Sequence, residues 1–111
     1  MRYMAPEVAL SLPYSHKAEV FSFATVVWQM CSHDVPFATC DVPGFYKRVC
    51  EGGERPKIPQ HLPPALVDLL QRCWKPEHAE RPEASEIVAV LRELLASLPE
   101  ERRRPSMWAA R

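Results

Sequence analysis

The stretch Tyr14–Ser32, YSHKAEVFSFATVVWQMCS, restricts the possible folds more than any other part of the chain. From Val20 to Cys31, the residues Val20, Phe21, Phe23, Ala24, Val26, Val27, Trp28, Met30 and Cys31 fall on every side of a 3.6-residue helix. Only Ser22, Thr25 and Gln29 interrupt that apolar surface. A helix with no polar face has nothing to give to water, so other elements are expected to wrap it. It is too short and too interrupted to span a bilayer. Ser15 is the expected N-cap, with Glu19 in the first turn where a carboxylate suits the positive end of the helix dipole. The helix is expected to stop near Ser32 and His33, because Pro36 cannot continue it and drives Val35 towards extended geometry.

The remaining pattern is helical too. Pro6 at a first helical position followed by Glu7, Val8, Ala9 and Leu10 predicts one short turn ending before Pro13. A loop follows from residue 33 to 42, with Phe37 pinning it to the core. Phe45, Val49 and Cys50 form the apolar side of a modest helix from Pro43 to Glu51, which Gly52 and Gly53 stop by accepting positive backbone angles. Residues 54–63 read as an exposed connector. Pro64 then opens an amphipathic helix to Trp74 in which Leu66, Leu69, Leu70, Cys73 and Trp74 make one stripe. The last helix runs from Glu83 to Leu98, its buried side marked by Ile87, Val88, Val90, Leu91, Leu94, Leu95 and Leu98. The tail from Pro99, which includes Arg102–Arg104, has no apolar period and reads as disordered. No strand, internal repeat or glycine-rich phosphate loop is apparent, and the fold class is all-α.

Composition narrows the partners. The 111 residues carry 14 basic and 14 acidic side chains, a formal net charge of +0, which argues against nucleic acid or an anionic membrane. Without a basic segment and apolar run at the N-terminus, the expected compartment is the cytoplasm. Cys31, Cys40, Cys50 and Cys73 never form a C-x-x-C pair and read as reduced thiols in or beside the core. A zinc site on Cys73 and His78 lacks paired ligands at short spacing and is disfavoured. His16, His33 and His61 read as surface histidines. No G-x-S-x-G elbow supports a serine hydrolase.

Three separated motifs carry a resemblance. Tyr3-Met4-Ala5-Pro6-Glu7, the apolar stretch Lys17 to Trp28, and Cys73-Trp74 followed by Arg81-Pro82 resemble the C-terminal part of a eukaryotic protein kinase domain, nearest the tyrosine-kinase-like and tyrosine kinase branches. The resemblance implies a partial kinase domain over residues 1–98: a central buried helix wrapped by amphipathic ones, part of the large lobe. It implies a buried ion pair between Glu7 and Arg81, and a structural role for Trp74. It implies that Arg2, Tyr3 and Met4 face the residue after the phosphoacceptor of a protein substrate; packing by Tyr3 and Met4 is the equal alternative. Glu19 stands where the family usually has an aspartate that accepts backbone N–H groups of the catalytic loop, Ala24 replaces a common glycine, and His78 replaces a common proline.

Phosphoryl transfer in that family needs a glycine-rich loop, a lysine paired with a helix glutamate, a His-Arg-Asp loop and an Asp-Phe-Gly magnesium ligand. All precede Ala-Pro-Glu and none is in this sequence. The expectation is therefore a C-terminal piece of a longer kinase, inactive alone, with ATP and magnesium held by the missing N-terminal part of the domain. The alternative is a stand-alone, non-catalytic module that binds a partner protein.

Overall fold

A computed structural model describes residues 2–98, and among these every regular element is helical. Helix α1 is Pro6–Ala9, α2 Lys17–Ser32 and α3 Val42–Phe45, which continues as a wider π-helical segment over Tyr46–Glu51. Helix α4 is Pro64–Cys73, a short 3-10 turn covers His78–Glu80, and α5 is Ala84–Ala96. The tail from Pro99 and the first residue, at which expectations were also set, lie outside the described residues.

Helix α2 begins later than its composition suggests. Its cap position is His16, whose side chain caps nothing, while the Ser15 hydroxyl accepts the Lys17 N–H at 3.2 Å. It ends as expected at His33, in a left-handed conformation (φ 61°), with the N–H bonded to the Gln29 carbonyl. Val20, Phe21, Ala24 and Trp28 join Leu66, Leu69, Leu70, Cys73 and Trp74 of the α4 region and Ile87 of α5 in the main core. The α4 stripe is thus buried residue for residue as its period requires.

Two expectations about burial fail in an instructive way. Helix α2 is not covered on every side: Phe23 is 45% exposed, Val26 45% and Met30 70%, a stripe at i, i+3 and i+7 along one face. The buried side of α5 is narrower than its leucines suggest. Ile87 is buried and Val90, Leu91 and Leu94 pack at the edge, but Val88, Leu95 and Leu98 face solvent. Helices α4 and α5 pack along one side of α2; on its other side Tyr3 reaches Gln29, and Met4, Val8 and Tyr14 border a hollow with Phe23 and Val26.

A second, smaller cluster forms where the chain returns beneath α1. Ala9, Phe45 and Val49 are its buried members, with Met4, Phe37, Tyr46 and Cys50 against them. Phe37 does hold its loop down, meeting Phe45 edge-on at 5.8 Å between centroids. The Tyr46 hydroxyl donates to the Ala9 carbonyl at 2.9 Å. At the start of α3 the Asp41 carboxylate accepts the Gly44 N–H at 2.8 Å, and a Cβ on Gly44 would sit 2.8 Å from that same oxygen. Glycine there leaves the cap its room. Of the two glycines expected at positive angles, only Gly53 (φ 71°) adopts one; Gly52 stays in the helical region, its N–H reaching back to the Lys47 carbonyl. The connector is not simply exposed either, since Pro56 is buried and Ile58 packs on the main core.

The asymmetry of α2 gives a direct test. Phe21→Ala, which empties a core site, lowers unfolding free energy by about 3 to 5 kcal/mol, whereas Phe23→Ala, two residues on, costs less than about 1 kcal/mol. Urea denaturation of both variants measures the contrast.

Candidate functional site

Arg81 brings together segments that are far apart in the chain. Its Nη1 donates to Glu7 Oε2 at 2.6 Å and to the Lys17 carbonyl at 3.0 Å; its Nη2 donates to Glu7 Oε1 at 2.9 Å and to the Pro76 carbonyl at 3.4 Å. Its Nε donates to the Lys75 carbonyl at 2.9 Å. All five N–H groups of the guanidinium thus have acceptors, and its side chain is wholly out of solvent. Lys17 answers from α2: its ammonium donates to the Arg81 carbonyl at 2.6 Å and lies 3.4 Å from Glu83. The hub therefore locks α1, the start of α2, the loop after α4 and the approach to α5.

Burial by itself pushes the Glu7 carboxyl up, but the hydrogen bonds and charge of Arg81 outweigh it and hold the group below its usual value. The fork-to-fork geometry is what a guanidinium offers a carboxylate and an ammonium does not.

Trp74 occupies the centre of the other polar thread in the core. Its Nε1 donates to Thr25 Oγ1 at 3.0 Å, and that hydroxyl donates to the Phe21 carbonyl at 3.1 Å. Thr25, which broke the apolar pattern of α2, is buried to receive this tryptophan. Trp28 Nε1 similarly donates to the Lys57 carbonyl at 2.8 Å, tying the connector to α2.

The three residues before Ala5 diverge. Arg2 borders a hollow of about 140 Å³ with Phe37, Asp41 and Phe45. The Tyr3 hydroxyl donates to the Gln29 side chain of α2, and Met4 packs on the smaller cluster. Glu19 is exposed on the first turn of α2, between a hollow of about 490 Å³ reaching Val88 and one of about 380 Å³ reaching Tyr14 and Val26. The face that Glu19 shares with Phe23 and Val26 is apolar apart from this carboxylate and Ser22.

Cys73 is buried and His78 is exposed, and among the described residues no three His, Cys, Asp or Glu side chains are placed to share a metal ion. Burial pushes the Cys73 thiol up to about 11. His16, by contrast, pairs with Glu83 at 3.1 Å on the surface. Lys17, Thr25, Trp28 and Arg55 are the contributors that sequence reasoning did not single out. Only Thr25 left a signal there, as a polar residue amid apolar ones.

With this geometry in view, comparison with known proteins defines the class. A family profile described as protein tyrosine and serine/threonine kinase matches residues 1–91. The chain belongs to that family. It is 37% identical to the serine/threonine-protein kinase STY17 of Arabidopsis thaliana over 92% of its own length and 18% of that protein's. It is 40% identical to the serine/threonine/tyrosine-protein kinase HT1 of Arabidopsis thaliana over 81% of its length and 23% of that protein's. With the dual specificity protein kinase shkD of Dictyostelium discoideum, the identity is 38% over 84% of this chain and 13% of that protein. The chain thus spans less than a quarter of each of these relatives.

Two outcomes follow from the hub and the core. Glu7→Gln leaves Arg81 buried without its counter-charge and costs about 3 to 5 kcal/mol at pH 7. Because the folded pKa of Glu7 is depressed, its contribution is present above the unfolded value of 4.5 and is lost as pH falls through the folded one. Urea melts at successively lower pH therefore show the gap between wild type and variant closing. Separately, iodoacetamide at pH 8 leaves Cys73 unmodified in the folded chain and alkylates it in urea, as peptide mapping reads out.

Proposed function

We propose that this chain is the C-terminal part of the large lobe of an ATP-dependent protein kinase, of the tyrosine-kinase-like branch, that phosphorylates protein hydroxyls in its full-length form. The observation that carries the reading is the bare stripe of Phe23, Val26 and Met30 on the helix that is otherwise the centre of the core. Large apolar side chains on a soluble chain are worth about 1.5 to 3 kcal/mol each when covered, and a continuous row of them calls for a cover. In this reading the cover is the preceding part of the kinase domain. Its catalytic loop lies over the first turns of α2 and donates backbone N–H bonds to the carboxylate of Glu19, which borders the same hollow as Phe23.

The acids and lysine that would hold ATP and Mg²⁺ belong to that preceding part; no motif for them exists in these residues, and no step through them is assigned here. What this chain supplies is support and recognition. The Arg81 hub fixes the Ala5-Pro6-Glu7 segment against α2, which holds the strand of chain before it at a constant height. Arg2, at its hollow beside Phe37 and Asp41, then faces the substrate polypeptide. Tyr3 and Met4 position it from behind, one through Gln29 and the other through the smaller cluster. Residues 1–98 form the lobe fragment in this reading, and the compartment is the cytoplasm; no helix among the described residues is long and apolar enough to cross a membrane.

Sequencing the transcript upstream of the Met1 codon tests the proposal. The expected result is an in-frame segment encoding Asp-Phe-Gly and His-Arg-Asp, whose full product phosphorylates casein, while the 111-residue chain shows no thermal shift with ATP and Mg²⁺. A native product of this chain's mass from a transcript with no such segment overturns it in favour of the partner-binding module.

A further inference from the structure

The connector after the π-helical segment holds a cation that the kinase reading leaves unused. Arg55 is half-buried, its Nε donating to the Trp74 carbonyl at 2.9 Å and its Nη1 to the carbonyls of Glu54 at 2.9 Å and Val49 at 3.4 Å. Its guanidinium carbon stands 5.0 Å from the centre of the Phe21 ring, and that of Arg81 stands 5.1 Å from the same ring. The two cations differ in one respect. Arg81 has Glu7, whereas Arg55 forms no ion pair among the described residues, and its neighbour Glu54 is held by Arg48.

Burial, and after it the like charge of Arg81, lower the pKa of Arg55; the more distant Cys50 and Glu7 offset this only in part. The cation is thus desolvated without a counter-charge, a condition that a bound anion relieves. Three carbonyl bonds occupy three of its five N–H groups, leaving both on Nη2. No fully buried side-chain nitrogen or oxygen among the described residues lacks a partner, so Nη2 must reach solvent. Arg55 lines a cavity of about 460 Å³ together with Lys75, Gln71, Ile58, Trp74 and Pro76. Lys75 is likewise without an ion-pair partner among the described residues. The cavity shares no lining residue with the hollows along the bare face of α2, so the cover proposed there leaves it untouched.

We propose that this cavity docks an acidic side chain, carboxylate or phosphoryl, carried by a segment of a partner protein, with its oxyanion between Arg55 Nη2 and Lys75 and its apolar neighbours against Ile58 and Pro76. A guanidinium edge presents paired N–H groups to either oxyanion, and the ammonium of Lys75 adds a second charge without demanding a fixed angle. Ile58 and the exposed Pro76 offer an apolar surface for the residues that flank the acid in a polypeptide. A nucleic acid, with its continuous run of phosphates, finds only Arg55 and Lys75 as cations among the residues lining this cavity.

The test is a ¹⁵N NMR titration of the full chain with acetylated, amidated pentapeptides Ala-Leu-X-Pro-Ala, where X is glutamate, phosphoserine or glutamine. Saturable shifts of the Arg55 Nε–H signal and of the Gly53, Gln71 and Lys75 amides are expected with glutamate, phosphoserine or both, and not with glutamine; the tighter binder identifies which oxyanion the site takes. Arg55→Gln abandons three carbonyl bonds and risks the fold, so the informative variant is Lys75→Glu at an exposed side chain, which weakens binding about tenfold or more. Equal shifts with the glutamine peptide overturn the proposal. So do shifts centred elsewhere, no saturation at millimolar peptide, or an identical response to inorganic phosphate alone.

Discussion

Everything in this lobe fragment is referred to a single guanidinium. Arg81 reaches Glu7 across 74 positions of sequence and Lys17 across 64, and without it α1 has only the apolar contacts of Val8 and Ala9 to rest on. A buried ion pair is an uncertain source of net stability, because desolvating both charges offsets most of their attraction. Its value here is geometric. Five acceptors at fixed angles leave the guanidinium one position, and the segments that provide those acceptors share it. The Lys17 ammonium closes the circuit by returning to the Arg81 carbonyl, so α2 both gives to and takes from the hub.

The core around the hub divides labour between apolar contact and a few polar threads. Phe21 is packed between the hub and the connector, close to two guanidinium groups, and its carbonyl ends the chain of donors that runs from Trp74 through Thr25. Each aromatic that brings a polar atom into the core finds an acceptor for it, as an interior of low dielectric requires. Kinase relatives of quite different overall length match this stretch, and the stretch is internally complete on the side of α2 that faces α4 and α5.

How much of this could be read from sequence depended on whether a residue's partner was local. The α4 stripe was legible to the residue because its period and its burial have the same cause, one face against α2. The Glu7–Arg81 contact was legible only through the family motifs, since nothing in spacing places residues so distant side by side. Arg55 was misread as part of an exposed connector because proline, lysine and arginine there look solvated, while its burial is set by Trp74 and Phe21 from elsewhere. Periodicity alone could not show the exposed stripe of α2, for the opposite reason. Periodicity reports that a helix is apolar all round, but not whether the chain at hand contains enough other elements to cover it, and α5 similarly has more leucine than surface to set it against. The cap assigned to Ser15 instead of His16, and the positive angle expected of Gly52, missed at element ends, where one cap hydrogen bond or one backbone angle decides, although the helix did stop at Glu51.

The order in which the hub's parts occur in the chain bears on how the molecule is made. Glu7 and Lys17 leave the ribosome before Arg81, which emerges only after α4 is complete. Until then Glu7 has no counter-charge, α2 has only part of its covering, and the loop carbonyls at Lys75 and Pro76 have no donor. Settling of the assembly is therefore deferred until Arg81 has emerged, with closure entropy met in one step rather than in instalments. During that interval the nascent polypeptide presents its greasiest helix to solvent, the circumstance in which chaperone engagement is most useful.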